Sequence, residues 1–191
     1  MEKFQKKYRI PTARAEWWNY SNNGAYFITI CTHRRIHYFG EIVNERMIMS
    51  QLGKSAESCW HDIPNHFPFV QLGGFVVMPN HIHGIIIINK QCSPHSLETH
   101  DFSPHSLETQ DFASLPVQKN KFGPQSQNLA SIVRGYKIGV TKLSKSACLD
   151  FRWQARFHEH IIRNEAEYHR IQYYIATNPM NWKNDTFSKP E

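Results

Sequence analysis

"VVMPNHIHGIIIINK", residues 76–90, holds two histidines one residue apart inside an apolar run. Side chains alternate between the faces of a strand, so His81 and His83 share one face while Ile82 points to the other. Met78-Pro79-Asn80 reads as a tight corner between two strands, 69–78 and 81–89. The apolar flanks place the pair on a central strand. What such a strand gains from two adjacent imidazoles is the question the rest of the chain has to answer.

Outward from that hairpin the elements alternate. "AYFITICT" (25–32) is rich in strand formers and follows Asn-Gly, which predicts a strand. "RMIMSQLGKSAESCWHDI" (46–63) repeats Ile48, Leu52, Ala56 and Cys59 at a helical period, with Pro64 ending it. The stretch 128–145 carries Leu129, Ile132, Val133, Tyr136, Val140 and Leu143, again helical, with Asn128 as N-cap. "FRWQARFHEHIIR" (151–163) carries a fourth strand. The stretch 164–178 is a last helix, capped by Asn164 and stopped before Pro179. The order is β-α-β-β-α-β, then α. This is an α+β chain of ferredoxin-like pattern: an antiparallel sheet with helices on one face, plus a C-terminal helix. The other face of the sheet is left open to bind something.

Between the strand at 81–89 and the helix at 128–145, "SPHSLETHDF" (93–102) is followed at once by "SPHSLETQDF" (103–112). Two copies do not make a solenoid. Residues 91–127 read as a surface insertion, and duplication of a loop accounts for His95, His100 and His105 without a metal. Residues 1–24 read as a basic arm, 25–182 as the domain and 183–191 as a tail.

Hydrophobic residues make up 40% of the 191 and aromatics 13%, enough for a packed core and against a disordered chain. The net charge is +6, concentrated in the arm and in 130–164, which suits a polyanionic partner. Cys31, Cys59, Cys92 and Cys148 form no CxxC pair, so a zinc ribbon is not expected. With no signal peptide and no apolar run of membrane-spanning length, a cytoplasmic, reduced protein with no membrane partner is expected.

Two neutral imidazoles on one face can coordinate a divalent ion that finds further ligands elsewhere. On the last helix, Tyr174 and Asn178 are four apart and share a face. A tyrosine can act as a nucleophile toward a phosphodiester, and an amide oxygen is a hard ligand for Mg²⁺ or Mn²⁺. Packing alone would also explain Ile171, Tyr173 and Tyr174; the conjunction with His81 and His83 favours chemistry.

"MPNHIHGII" resembles the histidine–hydrophobic–histidine signature of the single-tyrosine HUH transposases. "YFITICTHRR", "FRWQARFHEHIIRNEAEY" and "RIQYYIATNPMNW" are similar to the same family, in the same order, over residues 20–182. Within that family the chain most resembles the REP-associated tyrosine transposases. The resemblance implies His81 and His83 as metal ligands, Tyr174 as nucleophile, Asn178 as third ligand and Mg²⁺ or Mn²⁺ as cofactor. Some relatives carry glutamine where this chain has the shorter Asn178, and the following proline disfavours helical geometry there. It further implies a metal-dependent single-strand endonuclease and strand transferase acting on hairpin-containing, REP-like single-stranded DNA through a 5′-phosphotyrosine. The partner subunit is either absent or a second copy in a homodimer that exchanges the tyrosine helix. Arg134, Lys137, Lys142, Arg152, Arg156 and Arg163 would grip phosphates, and Tyr136, Trp153 and Phe157 would stack on bases. Two other readings stand beside it: a non-catalytic nucleic-acid-binding module of ferredoxin-like fold, which would not require His81, His83 and Tyr174 together, and a hydrolytic metal-dependent nuclease.

Overall fold

The structure, a computed structural model, describes residues 18–90, 127–146 and 150–188, together with two short paired strands, β1 (Lys3–Phe4) and β2 (Lys7–Tyr8). The tandem repeat, with His95, His100 and His105, lies outside the described residues, as do Cys92 and Cys148.

The central sheet is built from β3 (Gly24–Cys31), β6 (Val70–Met78), β7 (His81–Ile88) and β8 (His158–Ile162). Their order across the sheet is β6-β7-β3-β8, and every pairing is antiparallel. This is the ferredoxin-like arrangement that the element order predicts. Register fixes what meets across the strands. His81 lies opposite Cys31, His83 opposite Thr29, and Thr29 in turn opposite His158.

The helices on the first face are α1 (Gln51–His61), the short α2 (Ile63–His66) and α3 (Leu129–Ser146). Ser50 caps α1 by accepting from the Gly53 N–H at 3.0 Å, and Asn128 caps α3 by accepting from the Ser131 N–H at 2.9 Å. Leu52, Ala56 and Trp60 of α1 and Ile132, Val133, Tyr136 and Val140 of α3 close over Tyr26, Ile28, Ile30, Ile82 and Ile86 of the sheet. Trp60 stacks on Phe75 with ring centroids 4.5 Å apart. Its indole fits only because residue 84 is glycine: a Cβ there would lie 2.3 Å from Trp60 Cζ2. Tyr136 is buried in this core, so it does not stack on a base.

Helix α4 (Glu165–Thr177) is capped by Asn164, whose side chain accepts from the Glu167 N–H at 2.8 Å. It lies on the second face, the one the sequence leaves open. There Ile171, Ile175 and Tyr168 pack on Ile85, Ile162, Phe27 and Val76. The α-helix ends before Pro179 as expected, but Asn178 keeps helical angles (φ −56, ψ −43) despite the proline that follows, and residues 178–184 continue as a 3₁₀ turn. Proline is tolerated there because it enters the first turn of a new helical segment, where its missing N–H has no partner to lose.

One element departs from the sequence reading. Residues 46–63 are not one helix. The first four form β5 (Arg46–Met49), which pairs with β4 (Gly40–Val43) in a hairpin. Its turn residues Asn44 and Glu45 both have positive φ (49 and 64), the conformation that matches the twist of paired strands. Pro64 sits in the first turn of α2 rather than closing a longer helix. The fourth strand expected within 151–163 is β8, over its last residues. Before β8, only Trp153 bridges to Thr32.

Candidate active site

His81 and His83 open β7 and are 0% and 1% exposed. Each has its Nδ1 held by a neighbour. Asn80 donates from its amide nitrogen to the carbonyls of Arg35 (3.1 Å) and Phe187 (2.8 Å). That leaves Asn80 Oδ1 to accept from His81 Nδ1 at 2.8 Å. Thr29 Oγ1 lies 2.9 Å from His83 Nδ1. Both Nε2 atoms therefore converge, 3.1 Å apart. Burial, then the charges of His83, Arg35 and His37, holds the His81 pKa well below the usual imidazole value. Burial, then His158, lowers that of His83 to about 3. Both rings are neutral near pH 7, the form that binds a metal.

Tyr174 comes from α4, and its hydroxyl lies 3.3 Å from His83 Nε2 of its own chain. Phe27 edges the phenol at 6.1 Å and stacks on His83 at 5.2 Å, fixing both rings. Burial and the Asp185 charge raise the Tyr174 pKa above 10, while a hydrogen bond from the Asn178 side chain pulls it back. Tyr173, the neighbouring hydroxyl, is 72% exposed and stands away from the histidines. Asn178 is buried, and its Oδ1 has no hydrogen-bond partner. A buried acceptor with no partner is a group that a cation would satisfy.

Asp185 is the residue that sequence reasoning missed. One ligand atom each from His81, His83 and Asp185 lie within 4.8 Å of one another. Asp185 follows the 3₁₀ turn, on a segment laid across the histidines. Phe187 sits 4.6 Å from the His81 ring, Trp182 lies 6.1 Å from it, and Arg35 donates to the Thr186 carbonyl at 2.8 Å. No local pattern marks "NDTF" as a ligand segment; its role depends on where the chain returns. The donor set fits a divalent ion. Two imidazole nitrogens and a carboxylate make a mixed N/O set, and two adjacent ligands at about 2.1 Å on an octahedral ion stand about 3.0 Å apart, close to the 3.1 Å between the two Nε2 atoms.

The proposed phosphate grips separate into groups. Arg134, Lys137, Lys142 and Arg156 line one groove of about 620 Å³ with Lys145, Ile138 and Phe157, between α3 and the approach to β8. Lys137 is turned inward there: its ammonium donates to the carbonyls of Gln154 (2.9 Å) and Arg156 (2.6 Å), and burial lowers its pKa to about 8. Arg152 pairs with Asp150 at the surface and Arg163 closes β8; neither lines the groove. The groove opens on the α3 side of β8, whereas His158, the first residue of that strand, pairs with Thr29 on the histidine side. Phe157 and His158 are neighbours in sequence and point to opposite faces.

No protein-family model matches the chain. It is 39% identical over 177 residues to an uncharacterized protein of Haemophilus influenzae, a match covering 90% of this chain and 89% of that one. Among solved structures, a REP-associated tyrosine transposase bound to a REP hairpin superposes with a TM-score of 0.53 at 19% identity, covering 88% of this chain and 74% of that one. This chain belongs to one family with the Haemophilus influenzae protein and has the fold of the REP-associated tyrosine transposases.

Proposed function

We propose that the chain is a transposase-type single-strand DNA transesterase with Tyr174 as its nucleophile. The observation that carries this reading is the approach of the Tyr174 hydroxyl to His83 Nε2 at 3.3 Å, with His81 Nε2 directly behind. A Mg²⁺ or Mn²⁺ ion held by His81, His83, Asp185 and Asn178 would offset negative charge on the scissile phosphate as it is attacked. Tyr174 Oη forms a bond to phosphorus, the bond from phosphorus to the 3′-oxygen breaks, and that oxygen takes a proton from solvent and leaves as a 3′-hydroxyl. The phenolic proton passes to solvent at the open edge of the ring. Asn178, donating to the phenolic oxygen, favours the phenolate against the burial and Asp185 charge that oppose it. The 5′-phosphotyrosine retains the bond energy, so a second 3′-hydroxyl can reverse the step and join strands.

The substrate in this reading is single-stranded DNA beside a hairpin. Arg134, Lys142, Lys145 and Arg156 would hold phosphates along the groove, with Phe157 as its apolar floor. The tyrosine acts within its own chain, consistent with the intrachain contact.

The test is a single-stranded hairpin oligonucleotide from DNA flanking the gene, labelled at both ends and incubated with Mg²⁺ or Mn²⁺. A protein adduct on the 3′-side fragment is expected for the wild type and is lost in Tyr174→Phe and His81→Ala. Cleavage that survives Tyr174→Phe without an adduct would sink the reading in favour of a hydrolytic nuclease. Binding without cleavage would favour a non-catalytic module.

A further inference from the structure

Directly after β3 the chain turns through His33, Arg34 and Arg35, and the turn is strained. Arg34 (φ 51, ψ 26) and Arg35 (φ 52) are successive non-glycine residues in the left-handed region. Such residues are strained and persist only where their surroundings over-determine them. Here they do. The Thr32 N–H donates to the Asn80 carbonyl at 2.8 Å, and Thr32 Oγ1 reaches the carbonyls of Ile36 (2.7 Å) and Asn80 (3.0 Å). Asn80 Nδ2 returns a bond to the Arg35 carbonyl, and the His33 N–H donates to the Arg152 carbonyl at 2.8 Å. The residue that orients His81 thus also pins the turn, so the turn is a fixed part of the rim of the site.

The two arginines are used differently. Arg35 faces inward, its guanidinium 5.1 Å from the centroid of Phe187 and bonded to the Thr186 carbonyl. Arg34 is exposed, and among the described residues no hydrogen bond or ion pair engages it. A glycine would adopt the same angles without strain. An unpaired arginine whose neighbours Thr32, His33 and Arg35 are tied down by hydrogen bonds is presented to a ligand of its own. The candidate site brings a carboxylate, Asp185, to the place where a polyanionic strand has to come, so a cation on the rim has a clear electrostatic task.

We propose that Arg34 binds a phosphate of the scissile strand adjacent to the one attacked, and that the left-handed turn exists to present it. This rests on the transesterase reading for the identity of the strand. Guanidinium presents a planar fork that matches phosphate oxygens. The contact positions the strand; it takes no part in bond making.

The experiment compares wild type with Arg34→Gly and Arg34→Lys. Arg34→Gly relieves the backbone, so its thermal unfolding temperature is expected to equal or exceed that of wild type. Its rate of adduct formation at subsaturating DNA is expected to fall about 10-fold or more. Binding of the scissile-strand oligonucleotide, followed by anisotropy against salt, is expected to lose about 0.7 from the slope of log affinity on log salt, one single-strand phosphate contact. Arg34→Lys keeps the charge and recovers most of the slope. If Arg34→Gly binds with the wild-type slope, Arg34 holds no phosphate, whatever the adduct assay gives. If the wild type binds and loses slope on Arg34→Gly but no protein forms an adduct, the phosphate contact stands and the transesterase reading falls.

Discussion

On the α1 and α3 side, strands β3 and β7 present Tyr26, Ile28, Ile30, Ile82 and Ile86, all 0% exposed and all packed on apolar partners. On the α4 side, the same two strands present Thr29, His81 and His83, equally buried but joined by hydrogen bonds. Burial is the same, and its consequence is opposite. Apolar burial at about 25 cal/mol per Å² stabilises the fold. Burial of imidazoles opposes their protonation and keeps two lone pairs available. The first face anchors the strands so firmly that the second can hold groups which stabilise little by themselves. The second face is also more lightly clasped: its apolar cluster rests on four buried isoleucines, Ile85, Ile162, Ile171 and Ile175.

The strongest way to break this division is Trp60→Ala. It removes the largest fully buried side chain of the apolar face and is expected to lower stability by about 3–5 kcal/mol in denaturant unfolding. Protein that remains folded should bind metal as wild type does. A changed metal affinity in that folded fraction would mean the faces are not separable. Next in size is Asp185→Asn. It keeps an oxygen for the Phe187 N–H, which Asp185 Oδ1 accepts at 2.8 Å, while removing the charge. Affinity for Mn²⁺ in calorimetric titration is expected to fall at least about 10-fold, with little change in unfolding temperature; unchanged affinity would remove Asp185 from the ligand set. The smallest effect is that of pH on the metal-free protein. His83 titrates at about 3 when folded against 6.5 when free, so below about pH 6.5 the unfolded chain takes up protons that the folded chain refuses. Stability is therefore full above that value and falls as the pH drops from about 6.5 toward 3. His83→Gln should flatten the slope, and an unflattened one would show that the drop originates elsewhere.

The parts of this molecule that a reader of the sequence can find are those set by neighbours along the chain. The caps Asn128 and Asn164, the strand alternation through His81 and His83, and the four-residue spacing of Tyr174 and Asn178 all follow from local geometry. The hairpin β4–β5 was hidden because Ile48, Leu52, Ala56 and Cys59 keep a helical period across its end, although Asn44 is a turn residue well suited to positive φ. Thr29 and Asp185 were illegible for a different reason. Thr29 meets His83 through the register of β3 on β7, 54 positions away, and Asp185 reaches the site only when the chain returns across β7. Asn80 was in plain view beside His81, but its use of both amide groups depends on the carbonyls of Arg35 and Phe187.

Asn80 has one more consequence. With its amide nitrogen committed to two carbonyls, it can only accept from His81, so His81 carries its proton on Nδ1 and shows a bare Nε2. Thr29 imposes no such rule on His83, because a hydroxyl donates or accepts as needed. Without an ion, His83 can put its proton on Nε2 and donate across the 3.1 Å gap to His81. With the Nε2 atoms of both rings turned to a cation, that proton would sit on His83 Nδ1, with the Thr29 hydroxyl oxygen accepting it. Two residues identical in type thus become a fixed half and a switching half, and ring ¹⁵N shifts would register ion binding at His83 as a change of tautomer while His81 keeps its own.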